Sequence, residues 1–531
     1  MIRPTRLALT ITAAFLCSTA TLTSAATPAC KTTQECKEQA AKIGTSAGVR
    51  SGAPTSGTDQ KEDQFYWLNK INKASAVMLL EQGIITPEIA ATLAKGVNHV
   101  IQQAETPTGK RPSDVLQIER IIIDEVGPDA SLIHTGRSRQ DMYSTFRMAQ
   151  LRTQMLDYYD AVQALRAHLQ KLAAENTDTI MPAYTNGVQA MPISLAHYLL
   201  AYDASFERDT QRLTELYARM NRSAMGTAVL ANSSWPLNRE RMAELLGFDG
   251  VIENSLDSSQ VAPSDISLEA MAILNSGAIR IGALLADIHT QYHQTRPWIL
   301  LDESATYSSS AMPQKRNPGL IMRAREAASN VVGLAHAVTI RAHNVSTGMT
   351  DYKNPWSELG TITQAITMIN NTNRVLGALK VNPDRALEEL ENDWTTSMEL
   401  AEVLQKDHAI PFRVGHSFAS AIVSHARAEN LRPKEFPYSV AQDLYRKSLK
   451  DYSLPAAEFP LSETRFHDVL SPRTMVETRL GTGGPQPAEV KRMLAQAQVQ
   501  QKKASEWAQE KRQNLAQADQ KLDDAFKALQ Q

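Results

Sequence analysis

The chain has 531 residues, which is long enough for two or three domains or for one extended helical assembly. Its 55 lysines and arginines nearly balance its 57 aspartates and glutamates, so the net charge is −2. This balance argues against a general electrostatic attraction to nucleic acid or to an anionic membrane. Aromatic residues make up only 6% of the chain and methionines number 18, a composition that favours packed helices over a β-sandwich.

Residues 1–26 have the features of a secretory signal peptide. Arg3 and Arg6 form a basic start, residues 7–16 are apolar, and residues 24–26 are small enough for cleavage. The apolar segment is shorter than the roughly 20 residues needed to span a bilayer. We therefore expect export and cleavage, giving a periplasmic or secreted protein with no remaining membrane attachment.

Residues 27–62 are predicted to form a flexible linker, because its larger part is rich in Gly, Ser, Thr, Ala and Lys and has few large apolar residues. The linker contains Cys30 and Cys36. In an oxidising compartment a small local disulfide is compatible with these cysteines, and so are two free surface thiols.

Five long helices are predicted within residues 141–388, where apolar residues recur at alternating spacings of three and four. The first such series is Met148, Leu151, Met155, Tyr158, Val162, Leu165, Leu169 and Leu172. Each series lasts about 20 residues, so the helices should be roughly 30–40 Å long. The pattern predicts an all-α fold with an elongated five-helix central bundle, and apolar seams of this length predict oligomerisation.

Shorter helical segments separated by turns flank this bundle. We predict an N-terminal helical domain over residues 63–140 and a C-terminal helical domain over residues 389–498. Residues 499–531 are rich in Gln, Lys and Ala, which predicts a polar helical tail.

Three polar stretches interrupt the helical pattern. His134–Asp141 precedes the first long helix, where Ser138 can act as the N-cap and nearby arginines can bind a carboxylate. Tyr184–Gln189 precedes the second long helix and is predicted to place hydrogen-bond donors at its start. Ser304–Pro318 combines small hydroxylated residues, two prolines, a lysine and an asparagine, which is typical of a mobile flap with a charged hinge. Taken singly, the three stretches are better explained as an ordinary helix cap, a polar interhelix turn and a serine-rich surface loop, respectively.

In order and spacing, these three stretches together resemble the signature regions of the aspartase/fumarase superfamily, and within it the argininosuccinate lyase branch. The most specific match is Met312-Pro313-Gln314-Lys315-Arg316-Asn317-Pro318, and the resemblance extends from about residue 65 to residue 498. It implies an all-α homotetramer with a 20-helix core, the bundle of each chain being flanked by two smaller helical domains. It also implies active sites built from three chains, and chemistry that requires neither cofactor nor metal.

Residue by residue, the resemblance implies that Ser309 is the general base, which removes a proton from the carbon next to a carboxylate. The implied substrate-binding residues are Ser138, Arg139, Gln140, Thr185, Asn186, Gln189, Ser310, Met312, Lys315 and Asn317. Lys315 and Asn317 would hold the carboxylates of the succinyl group. The products would be fumarate and an amine.

Departures from the argininosuccinate lyase pattern bear on the substrate. The usual Thr-His is Thr185-Asn186, and Gln140 replaces an asparagine. Thr185–Gln189 instead resembles ethylenediamine-N,N′-disuccinate lyase and related aminopolycarboxylate enzymes. We expect an exported carbon–nitrogen lyase that reversibly eliminates an amine from an N-substituted aspartate. The alternatives are an argininosuccinate lyase, giving arginine and fumarate, and a non-catalytic polycarboxylate-binding protein.

Overall fold

A computed structural model of the protein describes residues 62–106, 109, 111–349 and 355–531, with the backbone alone at 355–356. The predicted signal peptide, the linker up to residue 61 and both of its cysteines lie outside the described residues.

The described residues form mostly α-helices, numbered here in chain order. They are α1 (Gln64–Glu81), α2 (Pro87–Ala104), α3 (Val115–Val126), α4 (Arg139–Glu175), α5 (Leu195–Met220), α6 (Arg239–Leu245), α7 (Ala262–Thr290), α8 (Gly319–Ala342), α9 (Pro355–Gly377), α10 (Pro383–Glu391), α11 (Ser397–His408), α12 (Phe412–Glu429), α13 (Tyr438–Asp451), α14 (Glu463–Val469), α15 (Pro472–Glu477) and α16 (Pro487–Ala528). The short strands are β1 (Ile180–Thr185), β2 (Val188–Ser194), β3 (Ile299–Leu301), β4 (Tyr307–Ser308), β5 (Arg316–Asn317) and β6 (Leu379–Val381), which pair as β1–β2, β3–β6 and β4–β5, all antiparallel.

Helices α4, α5, α7, α8 and α9 pack together along their lengths, which confirms the predicted all-α bundle fold. The apolar seam of α4 is buried from Met148 to Leu169 and partly buried at Leu172, and its neighbour α5 runs antiparallel to it. Polar side chains fix the register of this pair. Arg166 Nε donates to Asp203 at 3.0 Å, and Gln163 Nε2 donates to Thr210 at 2.9 Å. Because these groups are buried, a shifted register would leave them without partners at a high free-energy cost.

One helical segment in the described part of the chain, Asp257–His293, is long and apolar enough to cross a membrane. Half of its apolar window is buried inside the protein. Its helix α7 packs against α5 and α8, so we interpret it as a core helix of the bundle.

Helix α16 contains most of the predicted tail and is 42 residues long. It packs along α4 and α5, where Trp507 lies between Tyr159 and Tyr217 at centroid distances of 4.9 and 5.3 Å. Nearer its end, Asp519 forms an ion pair with Lys70 of α1. Residues 499–531 are therefore polar along one face of the helix and packed along the other.

A second hydrophobic cluster, separate from the bundle core, is formed by α11–α14 and the connections between them. Its centre is aromatic, with the Phe459 ring tilted against Phe418 and in edge contact with Phe466. This cluster gives the shorter C-terminal helices a core of their own.

Candidate active site

The first polar stretch is shaped by a capping box at the start of α4. The Ser138 hydroxyl accepts a hydrogen bond from the Gln140 N–H at 3.3 Å, and the Asp141 carboxylate accepts one from the Ser138 N–H at 2.8 Å. Asp141 is fully buried and also accepts from the N–H groups of Met142 and Ala228. Burial raises the pKa of Asp141 to about 6 in spite of these three donors. The backbone next to Ser138 is thus held by a buried carboxyl group.

The neighbouring side chains are only partly available to a ligand. Arg139 is exposed, with Asp114 at 3.6 Å, and the Gln140 amide donates to the Ser259 carbonyl at 3.4 Å. His134 Nδ1 accepts from Arg137 Nε at 3.2 Å. Burial, assisted by the nearby arginines, lowers the pKa of His134 to about 4, so this imidazole is neutral near pH 7. Ser138 and the exposed part of Arg139 remain to face a carboxylate.

A strained loop beside Ser138 was not predicted from the sequence. Ala228 and Val229 have φ values of +44° and +82°, which non-glycine residues rarely adopt. The Ala228 N–H donates to Asp141, and the Val229 carbonyl accepts from the Ser259 hydroxyl. Strain of this kind is concentrated at functional sites. Gly226 and Asn232 were the only local signal, because both residue types tolerate positive φ.

The second polar stretch is the tip of the β1–β2 hairpin. Asn186 and Gly187 have φ values of +51° and +77°, as a two-residue hairpin turn requires. The prediction that this stretch lies at a helix start is wrong, because α5 begins at Leu195, after the second strand. Thr185 and Asn186 are exposed, whereas the Gln189 amide donates to Glu389 of α10 at 3.2 Å.

The third polar stretch forms the hairpin β4–β5, here called the flap (Tyr307–Asn317), which leads directly into α8. The Ser309 hydroxyl accepts hydrogen bonds from the N–H groups of Ala311 and Met312 at 3.3 and 3.2 Å. Asn317 Nδ2 donates to the Tyr307 carbonyl at 3.2 Å. Donors aimed at an oxygen favour its charged form, so this geometry would stabilise a Ser309 alkoxide, the form of serine that can accept a proton from carbon.

The structure brings together one group of predicted site residues in the flap. Ser309 and Asn317 are partly exposed, and Ser310, Met312 and Lys315 are exposed. The same short hairpin therefore presents a hydroxyl, an amide and an ammonium group to solvent.

Within one chain, the predicted site residues at the start of α4 are not brought to the other two groups. Ser138, Arg139 and Gln140 lie at the start of α4, while the β1–β2 hairpin follows its end, and 37 helical residues span roughly 55 Å. The flap lies near the C-terminal end of α4. The Asp302 N–H, shortly before the flap, donates to the Ala378 carbonyl at 2.7 Å, and the neighbouring Gly377 packs against His168 late in α4. A single chain thus leaves Ser138 far from the flap.

Comparison with known proteins identifies the family. Residues 57–333 match the family model described as "Lyase". Argininosuccinate lyase 1 of Shouchella clausii is 31% identical over 487 residues, covering 90% of this chain and 93% of that protein. Argininosuccinate lyase of Geobacillus thermodenitrificans is 30% identical, covering 80% and 90% respectively.

Among solved structures, a variant of EDDS lyase with bound fumarate superimposes with a TM-score of 0.79 at 29% identity, covering 88% of this chain and 92% of that one. EDDS lyase in complex with formate gives a TM-score of 0.78 at 28% identity. These matches extend over most of both chains. The chain therefore belongs to this lyase family of the aspartase/fumarase superfamily, which confirms the resemblance and the carbon–nitrogen lyase class that its sequence predicted.

Proposed function

We propose that the protein is an exported lyase that eliminates an amine from an N-substituted aspartate of the aminopolycarboxylate type, giving fumarate in a reversible reaction. The observation that carries this proposal is the Ser309 hydroxyl, which receives two backbone N–H groups on a hairpin that also bears Lys315 and Asn317. Similarity to EDDS lyase, including a variant with bound fumarate, supports this substrate class. The composition of residues 1–26 supports export.

In the proposed mechanism, Ser309 removes the proton from the carbon next to the carboxylate that Lys315 and Asn317 hold. The electron pair passes into that carboxylate and forms an aci-carboxylate dianion, which the ammonium and amide groups stabilise. When the carboxylate re-forms, a carbon–carbon double bond is made and the carbon–nitrogen bond breaks. The amine leaves with its electron pair and takes up a proton. Closure of the flap would exclude water from the charged intermediate.

We further propose that the protein is a homotetramer in which three chains complete each site. The separation of roughly 55 Å along α4 supports this arrangement, because Ser138 and Thr185 of one chain cannot hold the same four-carbon substrate. In this arrangement, neighbouring subunits would also supply the substrate-binding residues Arg139, Gln140, Asn186 and Gln189. The flap would supply Ser310 and Met312.

The test is fumarate absorbance with a panel of N-substituted aspartates. We expect Ser309→Ala to lower kcat by about 10²–10⁴-fold, the usual contribution of a general base. Ser308→Ala is the matched control, since Ser308 is an exposed hydroxyl on the same hairpin. A wild-type protein inactive on every panel member, or a fully active Ser309→Ala protein, would contradict the proposal.

Argininosuccinate lyase activity is the second candidate, favoured by relatives of that name at 30–31% identity. It is decided by including argininosuccinate in the panel and ranking kcat/KM. Calorimetric binding of a polycarboxylate without turnover of any panel member would instead favour the non-catalytic binding protein.

A further inference from the structure

A large cavity lies beside the β1–β2 hairpin, at the end of the bundle where α4 finishes. Its volume is about 680 Å³, and its wall is formed by the hairpin, by the ends of α4, α5, α7 and α9, and by β3 and β6. Cavities of this size are typical of sites for small organic ligands. Tyr184 and Gly187 of the hairpin belong to the wall, but none of the predicted site residues does. The cavity is therefore distinct from the residues proposed for catalysis.

Most of the wall is apolar. Leucine and isoleucine side chains from α4, α5, α7, α9 and β3 line it, and Tyr184, Tyr198 and Trp298 add aromatic rings. Burial of apolar surface favours binding of an apolar body in such a space. Aromatic rings also attract cations.

The wall also contains the carboxylate of Asp287, in the last turn of α7. The Tyr198 and Tyr202 hydroxyls both donate to Asp287 Oδ2, at 2.7 and 3.4 Å. Within the described part of the chain, Oδ1 accepts no hydrogen bond and no basic side chain forms an ion pair with Asp287, whereas Asp209 of the same bundle pairs with Arg280. One oxygen of a charged group thus remains for a ligand.

The helix ends favour a positive charge in this cavity. Helices α4, α7 and α9 each contribute a residue of their last turn to the wall, namely Glu175, Thr290 and Leu376. The C-terminal end of a helix carries roughly half a negative charge. Among the described helices, only α5 meets the cavity with its first turn, at Leu195. The negative ends therefore outnumber the positive one.

The other charged residues of the described wall, Glu175 and Lys380, each have an opposite charge nearby. Glu175 lies 4.0 Å from Lys171, and Lys380 lies 3.6 Å from Asp302. These two charges therefore contribute little to the net charge of the cavity. Asp287 leaves it negative.

We propose that this cavity is a ligand site separate from the lyase site, and that it binds an organic ammonium ion whose apolar body fills the cavity and whose charge lies beside Asp287. The inference goes beyond the proposed function and does not depend on it. An occupant would contact Tyr184 and Gly187, which flank Thr185 and Asn186 on the hairpin. Its binding can therefore be coupled to that of the substrate.

The test is calorimetric titration of the whole protein with phenethylammonium and with 2-phenylethanol, an uncharged compound of nearly the same shape. We expect the wild type to bind the ammonium ion more tightly. Asp287→Asn should weaken binding of the ammonium ion on the order of tenfold, because a charge-assisted hydrogen bond is lost, and should leave binding of the alcohol unchanged. Asp265→Asn is the matched control, since Asp265 is an exposed carboxylate of the same helix outside the cavity. Both of its affinities should equal those of the wild type.

A second variant locates the site without changing Asp287. Leu379→Trp adds bulk to the wall from a half-buried position on β6, so it should weaken binding of both compounds. The inference is overturned if the wild type does not bind the ammonium ion or binds the alcohol as tightly. It is also overturned if Asp287→Asn or Leu379→Trp binds the ammonium ion as tightly as the wild type does. These outcomes leave the lyase proposal intact, because turnover of N-substituted aspartates tests that proposal separately.

Discussion

The backbone N–H of Ser309 donates a hydrogen bond to the carbonyl oxygen of Lys315 at 3.3 Å. This bond joins the predicted base to the predicted carboxylate ligand across one hairpin. The distance between their backbones is therefore set by strand pairing within the flap. In the proposed closure of the flap, both groups would move as one unit, so that base and cation would reach the substrate together.

The first prediction concerns the charge of Lys315. Lys315→Gln should raise KM for fumarate about tenfold to a hundredfold in the reverse reaction, because a charge-assisted hydrogen bond to the carboxylate is lost. Lys380→Gln is the control, since Lys380 forms an exposed ion pair with Asp302 near the same end of the bundle. Steady-state kinetics measure both variants. If the KM of Lys315→Gln equals that of the control, Lys315 does not bind the carboxylate of fumarate.

The second prediction concerns assembly of the site from several chains. Ser138→Ala and Ser309→Ala proteins should each be nearly inactive alone, whereas hetero-oligomers formed by co-expression should regain activity. Under random assortment, about a quarter of the sites would combine a wild-type Ser138 segment from one chain with a wild-type flap from another. The measurement is the lyase activity of the purified hetero-oligomers, compared with that of each variant alone. No recovery in a verified mixture would argue against sites shared between chains.

The third prediction uses the buried carboxyl group of Asp141. Its pKa is raised from 3.8 to about 6 by burial, so the folded state binds the proton more tightly than the unfolded state. Its contribution to stability is greatest below pH 4 and is lost as the pH rises to 6, a change of about 3 kcal/mol. The free energy of unfolding, measured with denaturant, should therefore fall for the wild type relative to Asp141→Asn as the pH rises from 4 to 6. Asp265→Asn, at an exposed carboxylate, is the control, and a constant difference would contradict the prediction.

The fourth prediction tests whether the tail helix belongs to the fold. Trp507→Ala should lower the free energy of unfolding by about 3 kcal/mol, because it removes ring contacts with Tyr159 and Tyr217 together with buried apolar surface. Gln513→Ala, on the exposed face of the same helix, should change it by less than about 0.5 kcal/mol. Chemical denaturation compares the two. Equal stabilities would mean that the tail contributes little.

Much of the helical core could be predicted from the local spacing of apolar residues. The series from Met148 to Leu172 predicted a long buried seam, and α4 buries that seam along one helix of 37 residues. A period near 3.6 determines which residues share one face of a helix. This face can therefore be predicted without knowing which helix packs against it. The polar pattern predicts a helix start at Asn186-Gly187, whereas the structure has the β1–β2 hairpin there, and this dipeptide is a strong turn signal between strands.

The sequence by itself determined the helical class and the family, and it predicted the chemistry of the three polar stretches, since these depend on local spacing and residue type. Only the tertiary structure decided which distant groups meet. It gave Asp209 its partner Arg280, placed the strained Val229 beside the Ser138 loop, and brought Asp287 to the cavity beside the β1–β2 hairpin. Such pairings join residues far apart in the chain, and they depend on how whole helices pack, which no local pattern specifies.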